Sequence, residues 1–168
     1  MNEETKNISV LEGKTVMWVE DDAFLSDIIA RKLSNKNCTL LRASNADETF
    51  NILKDNTPDI IMLDILLPGM NGYEILEKLK GDDKTKKVPV IILSNFGQKS
   101  EVEKGMKLGA EKFLIKATLT LDEIIDEIGR TFKKDGGSAP SSTPEAPIIS
   151  PNPAPEAPPP NTPPAPQI

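Results

Sequence analysis

The sequence contains no histidine and a single cysteine, Cys38. These two shortages exclude an intramolecular disulfide, a Cys/His zinc site, and any catalytic triad or proton relay built on imidazole. Whatever chemistry the chain performs runs on carboxylates, hydroxyls and lysine. Long apolar runs are missing too: none approaches the ~18 residues of a membrane span, and the opening "MNEETKN" lacks the basic and apolar regions of a secretory signal. The chain is expected in the cytoplasm, without membrane insertion. Nor is there an excess of positive charge. Of the net charge of −6, −3 falls after Lys134 and −3 on the rest. A phosphate-backbone footprint needs a basic face. "KTKK" at Lys84 to Lys87 therefore reads as a solvated loop, and no direct contact with nucleic acid is expected.

Proline is abundant in one place only. Twelve of the fifteen prolines lie beyond Lys134, where large apolar residues are almost absent before Ile148, so this stretch cannot bury enough surface to fold alone. Residues 14–134 have the length of one ordinary domain, roughly 100–150 residues. The expected organisation is a flexible N-terminal segment over 1–13, one domain over 14–134, and a disordered Pro-rich tail over 135–168. "NPAPEAPPPNTPPAP" should sample extended polyproline II and act as a spacer, with a proline-motif ligand as the alternative.

Within the domain, short apolar runs alternate with segments of helical period, the pattern of an α/β fold with a parallel sheet covered on both faces. The strand candidates are "TVMWV", "TLLRA", "DIIML", "VPVIIL" and "KFLI". Between them Leu25, Ile28, Ile29 and Leu33 share a helix face, as do Ala46, Phe50 and Leu53, then Tyr73, Leu76 and Leu79, and a weaker pair at Val102 and Met106. The last helix carries Leu121, Ile124, Ile125, Ile128 and Phe132 on one stripe, opened by a capping box at Thr120 and Glu123.

Open parallel sheets bind ligands beyond the carboxyl ends of their strands, where the strand order reverses. After the first strand come Glu20, Asp21 and Asp22; after the third, Asp64; after the fourth, Ser94 and Asn95; after the fifth, Lys116. In a 2-1-3-4-5 order, strands one and three are neighbours about 4.8 Å apart, which brings Asp21 and Asp64 together. Carboxylates so close repel unless a cation lies between them, and an all-oxygen site with few protein ligands suits Mg²⁺. Glu20 could hold one of its waters. A Ser94 hydroxyl and a Lys116 ammonium nearby complete the parts that stabilise a transferring phosphoryl group, with Asp64 as the nucleophile that accepts it.

Each residue also has a plainer role open to it. Asp64 can cap a turn, Asp22 an N-terminal helix end, Ser94 can be a turn serine and Lys116 a solvated lysine. What weighs against these roles together is that four polar sites of the right types fall at four strand ends. "GKT" at Gly13 to Thr15 resembles the end of a P-loop, but Ile8 stands where its first glycine belongs and a strand follows instead of a helix.

With "WVEDDAFL", "LDILLPGMNGYEIL", "PVIILSN" and "KFLIKA" in this order and spacing, residues 14–134 resemble the CheY-like receiver domain of bacterial two-component response regulators. The resemblance implies a flavodoxin-like doubly wound (βα)5 fold. It further implies phosphorelay signal transduction in which Asp64 becomes 4-aspartylphosphate, the phosphoryl group coming from the phosphohistidine of a sensor histidine kinase or phosphotransfer protein. Glu20 and Asp21 match the family's acidic pair. Mg²⁺ would be bound by Asp21, Asp64 and the backbone carbonyl of Leu66. Ser94 matches the switch hydroxyl, Phe113 the aromatic that follows it inward, and Lys116 the family's lysine. The face formed by the fourth helix, fifth strand and fifth helix would then meet a downstream protein target or a second copy of the chain.

Three positions depart from the family pattern. Ala117 follows Lys116 where the family usually has a proline in a cis bond, so a trans bond is expected, since a non-proline cis bond costs about 3 kcal/mol. Leu66 and Phe96 stand where fast self-hydrolysing relatives carry polar groups, which implies a long-lived phosphorylated state. Only the Pro-rich stretch follows the domain, so output by protein binding is expected and the chain is read as a signalling domain, not an enzyme. Two rivals remain: a phosphorylation-independent pseudo-receiver, and an aspartate-nucleophile phosphatase, which would want an acid where Leu66 stands.

Overall fold

The computed structural model describes residues 10–134. Five parallel strands, β1 (Thr15–Val19), β2 (Thr39–Ala43), β3 (Ile60–Asp64), β4 (Val90–Ser94) and β5 (Lys112–Ile115), pair in the order β2-β1-β3-β4-β5. Between and after them run α1 (Ala23–Ser34), α2 (Ala46–Asp55), α3 (Gly72–Gly81), α4 (Lys99–Lys107) and α5 (Leu121–Lys134). This is the flavodoxin-like receiver fold that the alternation and the resemblance led us to expect, and its switch point lies between β1 and β3.

Side-chain alternation along the central strands feeds two cores, one on each face of the sheet. Met17, Val19, Ile61, Leu63, Val90 and Ile92 meet α2 and α3 through Leu53, Leu76 and Leu79. Val16, Trp18, Ile60, Met62, Ile91 and Leu93 meet α1 and α5 through Ile29, Leu33, Ile124 and Ile128. Trp18 is fully buried, and its indole N–H has no acceptor among the described residues.

Helix starts follow the local chemistry. Asp22 accepts from Leu25 N at 3.0 Å, Asn45 from Glu48 N at 2.9 Å and Asn71 from Tyr73 N at 2.9 Å. At α5 the capping box forms as expected: Thr120 N donates to Glu123 Oε2 at 2.7 Å and Glu123 N to Thr120 Oγ1 at 3.3 Å.

Four local expectations change. Of the segment 1–13, residues 10–13 are described and Leu11 is fully buried with Trp18 and Leu33, so a boundary at Lys14 cuts through packed chain. The apolar gain of burying Leu11 explains why. Residues 1–9 and the tail 135–168 lie outside the described residues. Met106 does not face the core but is 45% exposed, because α4 approaches the sheet through Gly105. "KTKK" is not simply solvated: Lys84 Nζ donates to the carbonyls of Leu53 at 2.9 Å and Lys54 at 2.6 Å, supplying partners at the C-terminal end of α2. Finally, β3 and β4 each run one residue past the apolar run, so Asp64 and Ser94 are the last residues of their strands.

Candidate functional site

Two strand ends meet at the switch point. β1 stops at Val19, and the chain turns through Glu20, Asp21 and Asp22 into α1, whose cap is Asp22. Across the pairing, β3 ends on Asp64. Glu20 and Asp64 are buried, at 5% and 3% exposure, whereas Asp21 is exposed. One carboxylate oxygen from each of Glu20, Asp21 and Asp64 lies within 4.8 Å of the other two. The strand order therefore brings together the residues that the strand ends supplied.

Lys116, the first residue after β5, reaches across the sheet edge. Its Nζ donates to Asp64 Oδ2 at 2.7 Å and also to Glu20. Asp64 Oδ1 accepts from Leu66 N at 3.1 Å, so both oxygens of the carboxylate are engaged. Glu20 Oε1 accepts from Asp22 N at 3.3 Å. Burial alone raises the Glu20 carboxyl, and although Lys116 pulls it back, it stays above the usual carboxylate range. Burial also pulls Lys116 down, but hydrogen bonds and charges from Asp64 and Glu20 outweigh it and hold its ammonium above the ordinary lysine value.

The Lys116–Ala117 bond is trans, as expected, since no peptide bond among the described residues is cis. The chain turns at once into a short 3-10 helix, Lys116–Thr118, with Leu119 N donating to Lys116 O. Lys116 reaches Asp64 without the proline bend.

A cleft of about 700 Å³ lies over these groups, lined by Asp21, Asp22, Leu25, Leu66, Asn95 and Ala117 beside the three charged residues already described. Ser94 does not line it. Its side chain is buried and its Oγ accepts from Phe96 N at 3.1 Å. Phe113 is half-buried in β5 and packs into the core on the α2, α3 side. So Glu20, Asp21, Asp64 and Lys116 come together, Leu66 sits at their rim, and Ser94 and Phe113 stand behind.

Two residues that sequence reasoning did not single out as functional support this arrangement. Gly72 opens α3 directly against the strand end: a Cβ there would fall 2.7 Å from Ile65 Cα and collide with the Asp64 carbonyl. Its N–H donates to Ile65 O at 3.0 Å. The Asn-Gly pair after Pro68-Gly69 was the available signal. Tyr73, next in line, is buried and bonds to Glu101 28 residues away.

Three carboxylates and no nitrogen or sulfur ligand make a hard-oxygen site, and one ammonium against two buried carboxylates leaves negative charge uncompensated. Such a set fits Mg²⁺.

Residues 16–129 match the response regulator receiver domain, and the chain belongs to that family. The phosphate regulon transcriptional regulatory protein PhoB of Pseudomonas aeruginosa is 31% identical over 136 residues, covering 81% of this chain and 57% of PhoB. The polar-differentiation response regulator DivK of Brucella anthropi is 30% identical over 103 residues, 61% of this chain and 84% of DivK. The chain spans about half the length of the transcriptional regulators it matches. In fold it is similar to the receiver domain of the sensor histidine kinase PA1611 of Pseudomonas aeruginosa PAO1, solved with a magnesium ion coordinated in its active site cleft. That likeness has a TM-score of 0.65 at 19% identity and covers 73% of this chain and 99% of the other.

The chain is thus the receiver domain of a response regulator in two-component signalling. Receiver domains are signalling domains, generally not classed as enzymes. They bind Mg²⁺ in the acidic site, typically carry a phosphorylated aspartate, and interact with histidine kinases and downstream targets. Among the described residues no helix is long and apolar enough to cross a membrane.

Proposed function

We propose that this receiver domain works in the cytoplasm and accepts a phosphoryl group on Asp64, in a Mg²⁺-dependent reaction, from the phosphohistidine of a sensor histidine kinase or phosphotransfer protein. The observation that carries this reading is the buried Asp64 carboxylate, held at 2.7 Å by Lys116 inside a cluster of three acids. An Asp64 oxygen attacks phosphorus as the phosphorus–nitrogen bond to the donor imidazole breaks, leaving an acyl phosphate. Mg²⁺, when bound, supplies positive charge for the carboxylates and the transferring oxygens. Asp21, Asp64 and the Leu66 carbonyl would hold it, with Glu20 on a water.

Lys116 orients Asp64 before transfer and follows the developing charge afterwards. Ser94 would leave the Phe96 amide and turn its hydroxyl toward the new phosphoryl oxygens, and Phe113 would move inward behind it. Both act on the face of α4, β5 and α5, through which a downstream protein or a second copy of the chain would be engaged.

The test is intact mass after incubation with a small acyl phosphate and Mg²⁺, with Asp64→Asn as the control. A single phosphoryl adduct, absent from the variant and absent without Mg²⁺, is the expected result. No adduct on a folded wild type would turn the reading to a phosphorylation-independent binding module.

A further inference from the structure

α4 is held differently from its neighbours. α1, α2, α3 and α5 each bury side chains in a core, whereas the one buried residue of α4 is Gly105, which has none. α1, α2 and α3 open on a capping side chain and α5 on its capping box, but Gln98 before α4 makes no side-chain cap bond. Gly105 settles the helix closely on the sheet: a Cβ there would meet Ile92 Cδ1 at 2.5 Å and Phe113 Cδ2 at 3.1 Å. That contact fixes how near α4 sits, and contributes little to what keeps it there.

The tether comes from α3. Tyr73 is 4% exposed, and its hydroxyl donates to Glu101 Oε2 at 2.6 Å, with the Glu101 carbonyl oxygen at 3.0 Å. Glu101 lies in the first turn of α4, and one turn later the Lys104 ammonium stands 4.3 Å from the Tyr73 ring centroid. Tyr73 follows Gly72 in the chain, and Gly72 sits on the backbone of Asp64. A continuous path therefore runs from the strand end that carries Asp64, through Gly72 and Tyr73, to the helix that buries no side chain of its own. It is separate from the path through Ser94 and Phe113.

We propose that Tyr73 is a positioning residue whose hydrogen bond to Glu101 clamps α4 against α3 and so opposes the rearrangement of α4 that accompanies occupation of the site. The clamp stands on geometry alone, while its coupling to the site rests on the phosphoacceptor reading. A hydrogen bond to a charged acceptor at a mostly buried hydroxyl is strong enough to govern the opening of one short helix. By linkage, a change that shifts α4 toward the arrangement favoured by the occupied site makes the site easier to fill, by at most the factor of that shift.

The experiment compares the wild type with Tyr73→Phe, which keeps the ring and removes the hydroxyl. It measures amide hydrogen exchange, followed by titration with beryllofluoride and Mg²⁺ as a phosphoryl analogue. Exchange in residues 99–107 should accelerate about tenfold in the variant while α1 and α2 are unchanged, and the analogue should bind several-fold tighter. Glu101→Gln, which retains an acceptor but loses its charge, should fall between the wild type and Tyr73→Phe. Unchanged exchange in α4, or acceleration spread over every helix, would overturn the clamp. Local loosening without tighter analogue binding would overturn its coupling. If the wild type binds no analogue while α4 still loosens in the variant, the clamp stands and the phosphoacceptor reading falls.

Discussion

Lys116 Nζ lies 2.7 Å from Asp64 Oδ2 and bonds Glu20 with the same ammonium, so a single cation faces two buried carboxylates. The lysine and a divalent cation are thus rivals for the same negative charge as well as partners in binding a phosphoryl group. Which role dominates can be separated by removing the lysine.

Lys116→Met should lose about 3 kcal/mol of stability at neutral pH without divalent cations, because two buried carboxylates lose their ion pair. Added Mg²⁺ should recover much of that loss and bind more tightly than to the wild type, while phosphoryl transfer from a small donor slows at least about tenfold. Denaturant titrations with and without Mg²⁺ measure the first effect and adduct formation the second. Equal Mg²⁺ affinity in both proteins would show that lysine and cation do not compete.

Leu66 and Phe96, 49% and 56% exposed, present apolar surface beside Asp64 and Ser94, where a hydrolytic water would need a polar partner. The phosphorylated state should accordingly last for minutes or longer, and Leu66→Asn should shorten it several-fold. Following the mass of the adduct after removal of the donor checks both. A wild-type lifetime of seconds would defeat the expectation.

Gly72→Ala places a methyl group against the backbone of Asp64 and Ile65. Backbone cannot swing aside as a side chain can, so α3 must shift. We expect a loss of about 2 kcal/mol or more in stability and slower adduct formation, since α3 seats the strand end that presents Asp64. Thermal unfolding and intact mass read the two effects, and a variant as stable as the wild type would contradict the close packing.

Lys112 Nζ meets Glu127 Oε2 at 2.5 Å, joining β5 to α5, and Arg130 bonds the same carboxylate. Burial by itself would raise Glu127, but Lys112 and Arg130 outweigh it and hold the carboxyl below its ordinary value of 4.5. A group with a lowered folded-state pKa contributes stability that is present above its unfolded value and lost as pH falls through the folded one. Glu127→Gln should cost about 1 kcal/mol at pH 7, and the gap to the wild type should close as pH drops below the ordinary carboxylate value. Urea midpoints for both proteins across that range decide it. A gap of constant size would mean that the charge is irrelevant.

Much of this molecule was legible along the chain. The alternation of short apolar runs with segments of helical period marked the five strands and the five helices between and after them among the described residues, and Asp22, Thr120 and Glu123 marked helix starts through bonds spanning three residues. The misreadings share a cause. Met106 looked like the inner face of a helix because periodicity ignores a glycine, yet Gly105 is what fits between Ile92 and Phe113. Lys84 looked solvated because its acceptors, the carbonyls of Leu53 and Lys54, belong to a helix about 30 residues earlier.

The sequence by itself determined which residue types end each strand and which helices form, because backbone pairing and side-chain periodicity are local. Only the tertiary structure decided that Lys116 serves both Asp64 and Glu20, 52 and 96 residues away, that Ser94 rests on the Phe96 amide, and that Tyr73 holds Glu101. Those distances are set by the crossovers that lay β1 beside β3 and β5 beside β4, and by how closely a helix without buried side chains can approach the sheet. Neither is written in any single stretch of the chain.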